Sequence, residues 1–170
     1  QFPFDGFRIL SSDHALMLEE LPERLLIIGG GAIGCEFAHV MNAFGAEVTV
    51  VEMMDHILPL EDADMAIFLE RAFRRRGITV RSAATVDELR EEGSGVRVRI
   101  RERDGESSQL TVDKVIVVTG RTPNTENMGF EELGITRERG LVPVGDYYRT
   151  SVPSVYAVGD ITGTPQLAHL

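Results

Sequence analysis

Residues 25–36 read LLIIGGGAIGCE, and this stretch decides the fold. A short apolar run predicts a β-strand that stops at Gly29, and Gly29, Gly31 and Gly34 then follow at G-x-G-x-x-G spacing. Glycines at these three places allow a sharp strand-to-helix turn, a close approach of the backbone to a pyrophosphate, and tight packing of the next helix on the sheet. The stretch therefore predicts a dinucleotide-binding turn, where the start of a helix offers unpaired N–H groups to the pyrophosphate.

The residues after the glycines supply the structural context that this motif needs. Apolar residues recur at helical spacing as far as Phe44, and AEVTVVE at residues 46–52 predicts a buried parallel strand that ends in Glu52. A carboxylate at the end of this strand accepts hydrogen bonds from both hydroxyls of an adenosine ribose and repels a 2′-phosphate. Residues 53–56, MMDH, contain no arginine or lysine that could bind such a phosphate. The sequence therefore predicts NAD(H) rather than NADP(H) as the nucleotide.

Composition limits the classes of partner and location. The chain has 170 residues, which is enough for one domain with appended pieces, and a formal net charge of −10, which disfavours nucleic acid and anionic membranes as partners. It contains no apolar run long enough to span a bilayer and no recognisable signal peptide. Its single cysteine, Cys35, excludes an internal disulfide and favours a reducing, cytoplasmic location. Because the chain begins at Gln1 and ends at Leu170 inside unfinished structure, we expect it to be a piece of a longer protein.

The order of the predicted elements indicates an α/β fold. A helical pattern over residues 65–73 and a short strand at residues 78–81 complete a βαβαβ unit. Residues 85–112 then alternate and turn in the manner of antiparallel strands, with the hairpin signal Asp104-Gly105. We therefore predict a Rossmann-type parallel sheet in which a β-meander replaces one helical crossover. Further along the chain, the pattern predicts a short helix at residues 126–133 and short strands at residues 141–144 and 155–158.

Two sets of arginines invite an anion-binding interpretation, and in both cases we prefer a plainer one. Every second residue from 97 to 103 is an arginine that alternates with apolar residues, which is typical of the solvent face of an antiparallel strand. Arginines 74–76 close the predicted helix over residues 65–73, where the helix dipole favours cations. Neither set is therefore predicted to bind nucleic acid or another anion.

Five separated motifs follow one another along the chain: GGGAIGCE from Gly29, the acid Glu52, ILP from Ile57, TGRTPNT from Thr119 and TSVPSVYAVGDITGTPQLAH from Thr150. Together they resemble the flavin-dependent pyridine nucleotide–disulfide oxidoreductases, and within that family the dihydrolipoamide dehydrogenases most of all. The resemblance covers nearly the whole chain. It implies an NAD-binding domain at residues 22–144 inserted into a FAD domain, with residues 1–21 as the incoming connection and residues 145–170 as the return segment that carries the second FAD motif.

The resemblance also implies which residues hold the cofactors. The NAD pyrophosphate would lie on the glycine turn, the adenosine ribose on Glu52, the adenine beside Val86, and the nicotinamide–flavin junction near Glu36. The small side chain of Ala32 would leave the nicotinamide slot open. In full, the implied NAD-binding residues are Gly29, Gly30, Gly31, Ala32, Ile33, Gly34, Glu36, Glu52, Val86, Gly120 and Arg121, and those for FAD in the parent enzyme are Asp160, on the flavin's ribityl chain, and Ala168.

The same resemblance implies that the disulfide chemistry lies outside this chain. The family's redox-active cysteine pair, first FAD fingerprint and catalytic histidine are missing from the sequence, and Cys35 is interpreted as a small core residue. No residue of this fragment is predicted to be catalytic, no cluster of side chains predicts a metal site, and we expect the isolated fragment to be colourless and inactive. The predicted function is that of the NAD(H)-binding domain of an oxidoreductase that converts dihydrolipoamide and NAD⁺ to lipoamide and NADH through FAD and the cysteine pair.

Several alternatives stay open. The same domain can serve an NADH oxidase, a coenzyme A disulfide reductase, a mercuric reductase or a soluble transhydrogenase, and a stand-alone NAD-binding regulatory module is an alternative of another class. The implied partners are the FAD and interface domains of the chain's own parent and, in that parent, a second identical subunit. Membership of a 2-oxo acid dehydrogenase complex stays open, and neither nucleic acid nor a membrane is a predicted partner.

Overall fold

The computed structural model of this chain describes residues 2–163, which form two compact units that divide after Gly120. The parallel sheet and the meander predicted from the sequence both lie in the first unit, so the α/β fold class is confirmed. None of the helices within the described residues is long and apolar enough to cross a membrane. In chain order the elements of the first unit are β1 (Ile9–Leu10), α1 (Ser12–Leu16), β2 (Arg24–Ile28), α2 (Ala32–Ala43), β3 (Glu47–Val51), α3 (Ala63–Arg75), β4 (Thr79–Arg81), β5 (Thr85–Glu92), β6 (Gly95–Arg101), β7 (Ser107–Val112) and β8 (Lys114–Val117).

The centre of the first unit is a five-stranded parallel sheet in the order β1-β8-β2-β3-β4. β2 lies in the middle, and Ile28 at its end is in register with both Val51 of β3 and Val117 of β8. The carboxyl ends of these three strands therefore lie side by side at one edge. Because the chain leaves β2 for β3 on one side and returns as β8 on the other, this edge is a topological switch point, where ligands bind in open α/β sheets.

Different layers cover the two faces of the parallel sheet. Side chains alternate along β2, so that Leu25 and Ile27 are buried on the side of the helices, while Leu26 and Ile28 are buried on the side of the meander. Ala38 of α2 belongs to the cluster on the helical side. Burial on both faces explains why the strand appears in the sequence as an uninterrupted apolar run.

The meander is a three-stranded antiparallel sheet in the order β5-β6-β7. Val96, Val98 and Ile100 of β6 are fully buried, whereas the arginines that alternate with them, Arg97, Arg99 and Arg101, are partly exposed on the opposite face. Each of these arginines has a carboxylate partner on β5, and the pairs are Arg97 with Glu92, Arg99 with Glu88, and Arg101 with Asp87. The predicted location on the solvent face of a strand is therefore confirmed for Arg97, Arg99 and Arg101, whereas Arg103 lies in the turn beyond the end of β6.

The second unit differs from the prediction at residues 126–133, where turns replace the expected helix. Asn127 and Gly129 adopt left-handed φ angles of 56° and 75°. These angles interrupt the series of i to i−4 hydrogen bonds that a helix requires. The apolar spacing of the segment is satisfied instead by Phe130, which packs against the small core of this unit.

The two strands predicted for the second unit are also wrong. Within the described part of this unit, residues 141–144 and 155–158 take part only in isolated bridges, which join Glu138 to Leu141 and Arg149 to Tyr156. A strand requires a neighbour alongside it over several residues, and a single bridge across a turn does not provide one. Val142 and Ala157 of these segments are buried together with Ile135 in a small core, against which Val144 and Val155 pack.

The domain boundaries inferred from the sequence do not coincide with the compact units. They place one domain at residues 22–144, whereas the units divide after Gly120. Ile9 and Leu10 form β1, which pairs with β8, so this part of the predicted connection belongs to the parallel sheet. The inferred boundaries concern the longer chain of a parent enzyme and stay a prediction.

An ion pair ties the start of β2 to the segment that joins the meander to β8. Arg24 donates hydrogen bonds from its backbone N–H and from its guanidinium to the carboxylate of Asp113, both at 2.8 Å. The hydrogen bond from the guanidinium of Arg24 is the main cause that lowers the pKa of Asp113 below its usual value, and the backbone N–H of Arg24 adds to this effect.

We expect Asp113→Asn to lower the melting temperature by about 1–3 °C at neutral pH, since the pair is partly exposed. The pKa of Asp113 is lower in the folded than in the unfolded chain, so its contribution is present above about pH 4 and is lost as the pH falls through the folded-state pKa. Melting temperatures of the wild type and the variant are therefore expected to converge between about pH 7 and about pH 3. A difference that keeps its full size at the lower pH would contradict this account.

Candidate functional site

The glycine turn follows β2 directly and admits no side chain at two of its positions. Gly29 has a φ of 111°, and a Cβ built on it would lie 2.5 Å from the carbonyl oxygen of Val118. A Cβ on Gly34, in the first turn of α2, would lie 1.9 Å from the carbonyl oxygen of Gly29. The first and third glycines of the motif are therefore required by the turn and by the packing of α2 against it.

Gly31 differs from the other two glycines because the space above it is open. It is the N-cap residue of α2, in an extended conformation with φ −69° and ψ −176°, and no side chain caps the helix there. No atom lies within 4 Å of the position that a Cβ would occupy. The first helical bond runs from the N–H of Cys35 to the carbonyl of Gly31 at 2.9 Å, so the amides before Cys35 have no partner within the helix. Free donors at the positive end of a helix fit the negative charges of a pyrophosphate.

Glu52 follows β3 directly and contacts the glycine turn. Its side chain is buried, with 7% of the residue exposed, and both carboxylate oxygens accept hydrogen bonds from backbone N–H groups. Oε2 accepts the N–H of Gly30 at 2.6 Å, and Oε1 accepts the N–H of Met54 at 2.7 Å. Because a carboxylate has about four lone-pair sites, each oxygen can accept one further hydrogen bond, as from a ribose hydroxyl.

Gly30 is held by contacts that the motif alone does not predict. Its carbonyl accepts hydrogen bonds from the N–H of Leu58 at 2.7 Å and from the thiol of Cys35 at 3.3 Å. A Cβ at this position would lie 2.8 Å from Cγ2 of Ile57 and 3.0 Å from Cβ of Glu52. Sequence analysis assigned Gly30 to the pyrophosphate and did not predict its hydrogen bond to Glu52. The parallel register of β2 and β3, which brings their ends together, is the signal that predicts this bond.

The other residues of the first unit that were predicted to bind NAD lie on elements that begin or end near this edge. Ala32 and Glu36 are exposed on the first turns of α2, and Ile33 between them is partly buried. Gly120 is exposed three residues after the end of β8. Val86 is partly buried on β5 and packs on the meander side of the core. The side-chain hydrogen bond among the predicted residues of the first unit joins the N–H of Gly30 in the glycine turn to the carboxylate of Glu52, which follows β3.

The turn between β4 and β5 contributes a further polar group at the carboxyl end of β4. The N–H of Ala84 donates a hydrogen bond to the carbonyl of Glu52 at 2.9 Å, and the N–H of Ala83 donates one to the carbonyl of Met54 at 2.7 Å. Between Arg81 and these residues, the hydroxyl of Ser82 is buried and has no hydrogen-bond partner within residues 2–163. Buried polar groups are normally paired, so this hydroxyl is available to a ligand group or a water.

In the second unit, two residues that were assigned to different cofactors form an ion pair with each other. Arg121 was assigned to NAD and Asp160 to FAD, and Nη2 of the first lies 3.0 Å from Oδ2 of the second. Both side chains are about half exposed. Asp160 follows Gly159, which has a φ of 81°, and begins a single turn of 3-10 helix. Ala168, the other residue assigned to FAD, lies outside the described residues.

Cys35 is a core residue of α2. Burial, followed by the charges of Glu52 and Glu36, raises the pKa of its thiol to about 12. A thiol with this pKa is not a nucleophile near neutral pH, and the interpretation of Cys35 as a packing residue is confirmed. No group of three His, Cys, Asp or Glu side chains suited to a metal ion occurs among residues 2–163.

The comparison with protein families finds one that spans the chain. The family described as "Pyridine nucleotide-disulphide oxidoreductase" matches residues 1–170. Dihydrolipoyl dehydrogenase of Zymomonas mobilis is 41% identical over 165 residues, which are 97% of this chain and 35% of that protein. Dihydrolipoyl dehydrogenase of Bacillus subtilis is 38% identical over 168 residues, which are 98% of this chain and 35% of that protein. The chain thus spans about a third of the length of these curated relatives.

Solved structures of similar proteins agree with the fold. The HOCl-induced flavoprotein disulfide reductase RclA from Escherichia coli superposes with a TM-score of 0.80 at 34% identity, over 95% of this chain and 36% of that chain. LpdA from Mycobacterium tuberculosis superposes with a TM-score of 0.79 at 36% identity, over 97% of this chain and 35% of that chain. Identities of this size extend the similarity from the fold to the sequence.

The glycine turn offers a matched pair of substitutions. We expect Gly34→Ala to prevent folding or to destabilise the chain by about 3 kcal/mol or more, because its Cβ meets a backbone carbonyl that cannot move independently. Gly31→Ala adds the same methyl group in open space at an extended φ, so it is expected to fold with a loss of about 1 kcal/mol or less. Thermal unfolding followed by circular dichroism measures both. Equal stability of the two variants would show that the turn differs from the one described.

The thiol of Cys35 provides an independent check of the core. At about pH 8 only about one thiol in ten thousand is ionised at a pKa of about 12, so iodoacetamide is expected to label the native chain far more slowly than a free cysteine. Labelling in urea is expected to reach the rate of a free cysteine, since unfolding restores the ordinary pKa. Mass spectrometry of the labelled chain gives both rates, and rapid labelling of the native chain would argue against a buried Cys35.

Proposed function

This chain belongs to the pyridine nucleotide–disulphide oxidoreductase family, and we propose that it forms the NAD(H)-binding part of a flavin-dependent enzyme of the dihydrolipoyl dehydrogenase kind. The proposed reaction of the whole enzyme is the oxidation of dihydrolipoamide by NAD⁺ through FAD and a cysteine pair. Because the chain spans about 35% of its relatives, we assign the disulfide step to parts of the enzyme that it does not span. The rest of that polypeptide is the proposed partner of this chain.

The observation that supports this proposal most directly is the contact between an open glycine turn and a buried acid. The turn presents free amides at the start of α2, with open space above Gly31. Glu52 presents a carboxylate that is hydrogen-bonded to the same turn through Gly30. A pyrophosphate on the amides and an adenosine ribose on the carboxylate would use both groups at once, as a dinucleotide does.

The same carboxylate supports NAD(H) over NADP(H). Glu52 is buried and is already fixed by two backbone N–H groups, so it cannot swing away from an incoming phosphate without leaving these donors unpaired. A 2′-phosphate would bring up to two further negative charges against it, and like charges brought together in a binding site destabilise the complex by several kcal/mol. A ribose hydroxyl, by contrast, can donate to the remaining lone pairs.

The residues of this chain bind and orient the nucleotide, while the nicotinamide, when bound, supplies or accepts the hydride. In the proposed arrangement Ala32 is small enough to leave the nicotinamide slot open, and Glu36 lies near the nicotinamide–flavin junction. Val86 is proposed to lie beside the adenine, and Gly120 and Arg121 beside the cofactor. For the flavin we propose that Asp160 accepts a hydroxyl of the ribityl chain, with the guanidinium of Arg121 holding its carboxylate in place.

A second candidate within the same family is a reductase of a disulfide other than lipoamide. The similarity to the flavoprotein disulfide reductase RclA supports this alternative, since its TM-score of 0.80 is as high as the 0.79 of LpdA. A stand-alone regulatory module is less well supported, because the family match continues through residues 150–170, where the flavin motif lies. Both alternatives use the same proposed nucleotide site.

Calorimetric titration of the chain with NADH and NADPH tests the proposed site. We expect NADH to bind at least about tenfold more tightly, which corresponds to about 1.4 kcal/mol of discrimination. Gly31→Ala is expected to weaken both nucleotides alike, because its methyl group occupies the space of the pyrophosphate that they share. Glu52→Gln, which removes the charge but keeps the size, is expected to narrow the difference between them.

The matched control is Glu47→Gln, which removes a carboxylate from the opposite, amino-terminal end of the same strand, where it is exposed. It is expected to leave both affinities unchanged. Equal affinities of the wild-type chain for NADH and NADPH would refute the role given to Glu52. If neither nucleotide bound, the NAD-binding role of the chain would itself be refuted.

A further inference from the structure

The loop between β3 and α3 contains the segment Ile57-Leu58-Pro59, to which the proposed function assigns no role. Ile57 is fully buried, and the N–H of Leu58 donates a hydrogen bond to the carbonyl of Gly30 at 2.7 Å. The thiol of Cys35 donates to the same carbonyl at 3.3 Å. The peptide between Gly30 and Gly31, in the middle of the glycine turn, is therefore held by donors from two different elements.

Leu58 makes this contact in an unfavourable backbone conformation. Its φ is 51°, in the left-handed region that bulky side chains rarely adopt, and Pro59 after it favours an extended conformation instead. Residues in such conformations persist only where their surroundings fix them, and they are frequent at functional sites. The conformation of Leu58 therefore indicates a functional contact rather than an ordinary turn.

The loop that carries Leu58 is itself anchored at three further points. The N–H of Met54 donates to the carboxylate of Glu52 at 2.7 Å, and the carbonyl of Met54 accepts an N–H from the turn between β4 and β5 at 2.7 Å. The carboxylate of Asp55 contacts the guanidinium of Arg103, which follows β6. Because these contacts fix the loop, the N–H of Leu58 has a defined position from which to hold the glycine turn.

The direction of the Gly30 carbonyl determines the direction of the next amide. In a trans peptide, the C=O of one residue and the N–H of the following residue point in opposite directions. Since the Gly30 carbonyl faces the donors of Leu58 and Cys35, the N–H of Gly31 points away from both. This N–H has no protein acceptor among residues 2–163, and the space beside Gly31 is open. It is therefore available to a pyrophosphate.

We propose that Leu58 is a positioning residue of the nucleotide site, whose backbone N–H holds the peptide between Gly30 and Gly31 in the orientation that presents the Gly31 amide to a pyrophosphate. The thiol of Cys35 supports the same orientation as the weaker of the two donors. This inference rests on the proposed NAD(H) site and deepens it by giving a role to the loop after β3. Because the contact acts through this one peptide, its effect is confined to ligands that carry a pyrophosphate.

The test removes the N–H of Leu58 by replacing this residue with its α-hydroxy acid, which turns one amide into an ester and keeps the side chain. Calorimetric titration of the full chain measures the affinities for NADH and for ADP-ribose, which carries the pyrophosphate without the nicotinamide. Both affinities are expected to fall about fivefold or more, because the turn loses its stronger donor. The affinity for adenosine, measured by NMR titration, is expected to stay within about twofold, since Glu52 is bonded to a different peptide of the turn.

The matched control is the same replacement at Glu61, whose N–H donates to the carbonyl of Leu58 within the loop at 2.9 Å. A second control is His56→Ala, because the ester also weakens the carbonyl of Ile57, which lies 2.8 Å from Nδ1 of His56. Both controls are expected to leave all three affinities within about twofold of the wild type. The proposal is overturned if either control weakens ADP-ribose as much as the ester at Leu58 does, or if that ester weakens adenosine equally.

A pair of ordinary substitutions tests the same contact and decides the matter if thermal unfolding shows that the ester chain does not fold. Leu58→Gly keeps the N–H and adopts a left-handed φ without a Cβ, whereas Leu58→Val adds a β-branched side chain that disfavours this conformation. ADP-ribose is expected to bind Leu58→Gly within about twofold of the wild type and Leu58→Val about fivefold more weakly. Equal affinities of these two variants, or an unchanged affinity in a folded ester chain, would overturn the proposal. Failure of the wild-type chain to bind NADH and ADP-ribose would instead refute the proposed site itself.

Discussion

The hydrogen bonds from the amides of Gly30 and Met54 to the buried carboxylate of Glu52 hold the site together. A buried carboxylate requires donors, and here two segments of backbone supply them. As a result the turn after β2 and the loop after β3 are fixed to one another before any ligand arrives. When the groups of a site are already ordered, little of the binding free energy is lost to ordering the protein.

The parts of the site that follow from local rules could be predicted from the sequence. Gly29, Gly34 and Glu52 occupy fixed places in a strand–helix–strand unit, so their spacing in the sequence alone locates them. The bond from Asp55 to Arg103 could not be predicted in this way, because it joins residues brought together by the fold of the meander. The helix predicted at residues 126–133 fails for a related reason, since apolar spacing carries no information about the left-handed residues that interrupt it.

The environment of Cys35 illustrates how the fold, rather than the residue type, sets chemical behaviour. The family is defined by disulfide chemistry, yet this thiol is buried in α2 and hydrogen-bonded to the carbonyl of Gly30, with two carboxylates nearby. These conditions stabilise the neutral thiol and so remove its nucleophilicity. In this chain the sulfur of Cys35 contributes to the packing of the glycine turn.

β1 contributes two residues to the parallel sheet, and it lies ahead of the segment in which the nucleotide motif begins. Its pairing with β8 covers one side of that strand, whose N–H and C=O groups would otherwise face outward. A bare strand edge is a template for association with other chains. A fragment that begins at Pro22 would therefore expose an unpaired strand edge along β8, and a fragment that is to stay monomeric requires a start upstream of Ile9.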